Sequence, residues 1–94
     1  MNLTGQKILG YESSKQGTTT FQGYNPSTSS ELPELFYEAT QEEVNTACEK
    51  AEIAFDIYRK LTVAERALFL ETIAGEIMEL GDDLLERCHL ESGL

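Results

Sequence analysis

The chain has 94 residues, 40% of them apolar, and a formal net charge of −10. That is enough for one small core and too apolar for a disordered chain. The acidic excess excludes a basic nucleic-acid footprint, and it repels phosphates and anionic lipid heads, so neither nucleic acid nor a membrane surface is an expected partner.

The charge is unevenly placed. Sixteen of the seventeen carboxylates fall from Glu31 onward, against five of the seven basic residues. Spread over helical spacing, this is the pattern of a solvated helix surface. The N-terminus, MNLTGQKILGYE, has neither a charged leader nor a long apolar core, so it reads as neither a signal peptide nor a membrane span. A cytoplasmic location is the default expectation.

From Lys7 to Phe36 the texture is that of strands and turns. Lys7–Tyr11 is a short strand, Glu12–Gly17 a polar turn, and Thr18–Tyr24, rich in β-branched and aromatic residues, a second strand expected to pair with the first as a hairpin. Asn25-Pro26 stops it, because proline removes a ladder donor and presets a turn that Ser27–Ser30 continues. Leu32–Ala39 is a third strand, with Pro33 tolerated at its start or on an edge.

Two helix-start signatures follow. Thr40 precedes Glu43 by three residues, and Thr62 precedes Glu65 by three. Each pair fits a capping box, in which the Thr hydroxyl accepts from a first-turn N–H and the Glu reaches back to the Thr N–H. After Thr40, apolar residues recur at Val44, Ala47, Cys48, Ala51, Ala54, Phe55 and Tyr58. After Thr62 they recur at Ala67, Leu70, Ile73, Ala74, Ile77 and Leu80, with Gly81 placed to cap the end in a left-handed conformation. The short connection predicts an antiparallel helix pair. Asp82 is then positioned to cap a third helix through Leu84, Leu85, Cys88 and Leu90. Gly75, inside the second helix, costs about 1 kcal/mol relative to Ala, and reads equally as a close approach by another backbone or as a merely tolerated glycine. The expected class is α+β, with a strand segment over residues 1–39 and a helical segment over 40–94. Three helices and a hairpin leave broad apolar stripes uncovered, which is the mark of one incomplete domain.

Few residues carry chemistry. Cys48 and Cys88 read as reduced thiols used as small hydrophobes. Cys88-His89, with Glu86 and Glu91 nearby, has metal-ligand residue types, but adjacent helical residues diverge and the spacing matches no zinc pattern. The glycines form neither a dinucleotide fingerprint nor a Walker loop. Glu42, Glu43, Glu49 and Glu52 read as the wet face of the first helix, and Glu71, Glu76 and Glu79 as that of the second. No catalytic, cofactor-binding or metal-ligating residue is assigned.

The order of features adds a family. Tyr24-Asn25-Pro26-Ser27-Thr28, followed by Ala39-Thr40-Gln41-Glu42-Glu43-Val44, resembles the start of the aldehyde dehydrogenase superfamily. The helix with Ala47, Ala51, Ala54 and Phe55 looks like the family's first, and Arg66-Ala67 with Leu70, Ile73 and Ala74 looks like its second. Glu91-Ser92-Gly93 resembles the step that closes its third. The likeness covers nearly the whole chain from about Phe21. Tyr58-Arg59, Arg66–Leu70, Leu80-Gly81-Asp82 and the final Leu94 are similar to the 2-oxoglutarate semialdehyde (2,5-dioxopentanoate) dehydrogenase branch. Ser29-Ser30 departs from the family's usual Gly-Glu in the turn.

The resemblance implies the outer part of a Rossmann-like cofactor-binding domain, early strands near oligomer contacts, and a parent enzyme that oxidises an aldehyde to an acid with NAD or NADP. It also implies a cysteine thiolate nucleophile, oxyanion donors and a glutamate base. None of these maps onto a position here, so the 94 residues alone are expected to be inactive and to bind no cofactor. The remainder of the dehydrogenase chain, in a homo-oligomer, is the implied partner. The contrasting expectation is a stand-alone acidic helical module that binds a partner protein through its apolar helix faces.

Overall fold

The computed structural model describes residues 2–94, so the strand segment is seen from residue 2. The elements run β1 (Lys7–Leu9), β2 (Glu12–Ser14), β3 (Thr20–Asn25), β4 (Ser30–Tyr37), α1 (Gln41–Tyr58) and α2 (Val63–Ser92). Two antiparallel two-stranded sheets, β1–β2 and β3–β4, precede the helices. The class is α+β.

The strand pairing differs from the sequence expectation. Lys7–Leu9 pairs not with the Thr20 strand but with Glu12–Ser14, inside the stretch expected to be a turn. Gly10 is the reason: its φ of 66° lets a two-residue loop, Gly10-Tyr11, reverse the chain at once. The Thr20 strand then pairs across the Asn25-Pro26 turn with β4. Asn25 stabilises that turn by accepting the Ser27 N–H on its side-chain oxygen at 3.0 Å. Ser29 sits at φ 54°, the left-handed conformation a glycine would take without cost. Pro33 lies within β4, where the register shifts: Gln22 faces Leu35 and Tyr24 faces Glu31, so Leu32, Pro33 and Glu34 share the space opposite Gly23. A residue without an N–H is accommodated where the ladder is already interrupted. Phe21 and Phe36, directly opposed, stack at 5.7 Å.

Both capping boxes are formed. Thr40 accepts from the Glu43 N–H and Glu43 accepts from the Thr40 N–H; Thr62 and Glu65 do the same. The helical elements number two and not the expected three: one element runs from Val63 to Ser92, and within it two helices meet across a kink at Gly81, at φ 55°, ψ −136°. Gly81 takes the positive φ expected of a cap, but the chain re-enters the helix at Asp82, so the break is one residue wide.

The antiparallel pairing also fails as a packing statement. Tyr58 and Phe69 meet edge to face at 5.5 Å across the Arg59–Thr62 connection. Beyond that corner, every residue of 51–58 and 63–86 is exposed, so the two stripes do not bury one another. The space a Cβ would occupy at Gly75 is open, and no backbone of the described residues approaches it.

Among the described residues only Leu32 and Glu43 are buried. The accessible surface is 7496 Å², whereas a folded monomer of 10.5 kDa exposes about 5,400 Å². The radius of gyration is 16.7 Å, against about 12 Å for a compact domain of this length. The elements are well formed and the core between them is missing. Among the described residues no helix is long and apolar enough to cross a membrane.

Candidate functional site

Two side-chain clusters fasten the strands to the helices, and both are built on ion pairs. The first centres on Glu43, in the first turn of α1, whose side chain is only 1% exposed. Its carboxylate accepts from Lys7 Nζ at 2.9 Å, the Thr40 N–H at 3.0 Å and the Gln16 N–H at 3.3 Å, and from the Ser14 hydroxyl. Lys7 in turn donates to the Glu38 carbonyl at 3.1 Å and the Gln16 carbonyl at 3.4 Å. Its three N–H donors are thereby used. Burial alone pushes the Glu43 carboxyl up, but the hydrogen bonds from Ser14, Thr40, Lys7 and Gln16 outweigh it and hold the group down at about 2. A carboxylate so saturated stays ionised and is a poor proton acceptor. It is a clamp joining β1, β2 and the start of α1, not a general base.

Glu43 was expected on the wet face of α1. The capping motif identified its backbone partner, but nothing local to the sequence marks Lys7, Ser14 and Gln16 as its other partners. Lys50, about two turns further along α1, adds a bond from Nζ to the Leu9 carbonyl at 2.9 Å, holding the end of β1 against the same helix.

The second cluster centres on Arg87, near the end of α2. Nη1 donates to Glu34 at 2.9 Å, Nε donates to Glu91 at 3.2 Å, and the guanidinium lies 5.7 Å over the Phe36 ring. Hydrogen bonding from Arg87 lowers the Glu34 carboxyl below its ordinary range. Gly23 makes room for this arrangement, since a Cβ there would stand 2.9 Å from Nη2 and 2.8 Å from Glu91 Oε1. The last turns of α2 are therefore docked on β3–β4. Ser27 Oγ reinforces the docking with a bond to the Gly93 carbonyl at 3.4 Å, and Gly93 closes the helix in a left-handed cap.

The residues singled out for chemistry are scattered. Cys48 and Cys88 are free and exposed, so neither serves as the core residue its position suggested. The His89 ring nitrogen Nδ1 is bonded to the Leu94 carbonyl, and Glu91 is engaged by Arg87. Glu86 lines a shallow hollow with Leu3, Glu34, Asp83, Arg87 and Leu90. Among the described residues no three His, Cys, Asp or Glu side chains converge as a metal site.

A pyrophosphate is received at a helix N-terminus by N–H groups and the positive end of the helix dipole. At the starts of α1 and α2 the Glu43 and Glu65 carboxylates each accept the N–H of their own capping threonine, at 3.0 and 3.1 Å. The N–H of Thr62 is also the principal cause holding the Glu65 carboxyl low. Both helix starts thus carry a resident negative charge.

Comparison with known proteins supplies what these clusters do not. The aldehyde dehydrogenase family profile matches residues 11–94. The chain is 44% identical over 95 aligned residues to alpha-ketoglutaric semialdehyde dehydrogenase 2 of Azospirillum brasilense, a match that takes in all of this chain and 18% of that protein. No solved structure matches. With the matched span running from the first hairpin to the last residue, the chain belongs to the aldehyde dehydrogenase family.

Proposed function

We propose that these 94 residues are the N-terminal segment of an NAD(P)-dependent aldehyde dehydrogenase that oxidises 2,5-dioxopentanoate to 2-oxoglutarate. The observation that carries this reading is an identity of 44% that extends over the whole chain yet takes in 18% of the relative. The surplus of exposed surface supports it, because a segment cut from a larger domain keeps its local elements and loses the layers that covered them. The thiolate, the oxyanion donors, the base and the NAD or NADP site belong to the rest of the parent chain, and the segment alone is inactive. Its partner is that remainder, in a cytoplasmic homo-oligomer.

The test is the intact mass of the protein captured from its source cells with an antibody to this segment. A species several times heavier than 10.5 kDa that oxidises aldehydes is the expected result. A native species of 10.5 kDa, without aldehyde oxidation, would overturn the reading and favour a stand-alone acidic helical module.

A further inference from the structure

Residues 3–7 run beside β4 from one ion-pair cluster to the other. Leu3 lines the hollow that Glu34 shares with Arg87 and Leu90. Two residues on, the Gly5 carbonyl accepts the Tyr37 N–H at 2.9 Å. Lys7 Nζ then donates to the Glu38 carbonyl at 3.1 Å and pairs with Glu43. These contacts advance in step along both segments, so residues 3–7 lie parallel to the end of β4. Burial alternates to match, with Leu3 and Gly5 half-buried and Asn2 and Thr4 exposed. Successive N–H groups of a strand point to opposite edges. The Glu38 N–H bonds the Thr19 carbonyl at 2.9 Å on the β3 side, so the Tyr37 N–H marks the outer edge of β4.

The two halves of β4 differ in what discourages another strand from adding there. Glu31, Pro33 and Glu34 fall in the first half, where charged side chains and a residue without an N–H make a poor template. Leu35-Phe36-Tyr37, at the end of the strand, carries neither charge nor proline, and Leu35 is 46% exposed. An apolar, aromatic edge of this kind is where copies of a chain pair. Residues 3–7 lie against this unguarded half. Gly5 makes the close approach possible: its φ is 70°, and a Cβ there would collide with the Leu35 carbonyl oxygen and stand 2.9 Å from Phe36 Cα.

We propose that residues 3–7 are a strap that covers the outer edge of β4 and keeps a second copy of this chain from pairing with Leu35–Tyr37. Gly5 is the residue that lets the strap close. The Lys7–Glu43 ion pair anchors one end, and Leu3, in the hollow beside Arg87, seats the other. A second copy is the occupant excluded, because two identical edges meeting antiparallel are self-complementary across a two-fold axis. The strap is argued from contacts within the chain and is independent of the activity proposed above.

The experiment opens the strap with Gly5→Ala in the full chain and follows amide hydrogen exchange at Tyr37 and Glu38, together with sedimentation at rising concentration. Every variant also carries Ile73→Glu, which puts a charge in the exposed apolar stripe of α2 and so separates edge pairing from association through that stripe. Gly5→Ala is expected to speed exchange at Tyr37 about tenfold or more, to leave Glu38 protected, and to turn a monomer into dimers or larger species. Adding Leu35→Lys, a charge on the freed edge, is expected to restore the monomer. Gly75→Ala, whose Cβ meets open space, is expected to change nothing. A Tyr37 amide equally protected with and without Gly5→Ala overturns the strap. Faster exchange at Tyr37 in a chain that stays monomeric overturns its guarding role. Loss of protection at Glu38 as well means that residues 3–7 hold the sheet together, and this too overturns the proposal. Each of these failures leaves the family role intact.

Discussion

Lys7, Ser14 and Gln16 converge on one carboxylate that lies 27 residues or more further along the chain, and this convergence decides how the strands are held. Of the four residues that donate to the Glu43 carboxylate, the sequence marks one, Thr40. The Thr-x-x-Glu spacing is local and periodic, so the capping box was legible; the buried contacts depend on how a hairpin closes and were not. Their consequence is a pH dependence whose sign is fixed. The Glu43 carboxyl falls from an ordinary 4.5 to about 2 on folding, so its stabilisation is complete above the unfolded value and is lost as pH drops from about 4.5 toward 2. Glu43→Gln removes the charge Lys7 pairs with. Urea melts should show the variant less stable than the wild type at pH 6 and converging with it near pH 2; a gap that persists at pH 2 would refute the assignment. Ser29 gives a second test at this scale. It holds φ 54°, where an L side chain crowds its own backbone, at the turn position where the resemblance led us to expect glycine. Ser29→Gly should stabilise the chain by roughly 1 kcal/mol or less, the relief being partly offset by the entropy glycine loses on folding. A destabilised variant would show that Ser29 makes a compensating contact.

Helices were more legible than strands because their signals are dense. Start residues, periodic apolar positions and a terminal glycine all lie within one window, and both helix starts fall where the capping threonines put them. Strand pairing depends on which turn closes first. Gly10 closes the first hairpin within two residues, a tight reversal that the polar run Glu12–Gly17 masked. The count of helices failed at Gly81 for a related reason. A positive-φ glycine commonly ends a helix, but here the next residue resumes it. The φ and ψ of Gly81 lie where essentially only glycine resides, so Gly81→Ala should cost about 1–3 kcal/mol of unfolding free energy. An unchanged melt with a rise in helicity would mean that the helix straightens without penalty. Thr62→Ala, which leaves the first turn of α2 uncapped, should cost about 1 kcal/mol and lower helicity near that end.

Over the described residues the chain is a surface almost without an interior, and this sets its behaviour in isolation. Only one apolar side chain, Leu32, is buried among the described residues, while the α2 stripe stands open. Open apolar area favours association, but a net charge of −10 on so small a chain opposes it. Which effect wins depends on screening. At 10 mM salt the Debye length is about 30 Å, comparable to the width of the molecule, and copies repel as wholes. At 150 mM salt it shrinks to about 8 Å, so repulsion acts only between charges close to the contact. Sedimentation of the purified chain should therefore show mainly monomer at low salt and increasing self-association as salt rises. Ile73→Glu should suppress that association by placing a charge in the stripe. A strictly monomeric profile at high concentration and high salt would show that the stripe is too divided or too mobile to hold a neighbour. Calorimetry under the same conditions should detect no binding of NAD or NADP. The two helix starts that could receive a pyrophosphate each already hold a capping carboxylate, Glu43 or Glu65, and a further anion would have to approach a chain that is already strongly acidic. Tight binding would require a phosphate site independent of those helix starts, and would show that the segment carries cofactor affinity of its own.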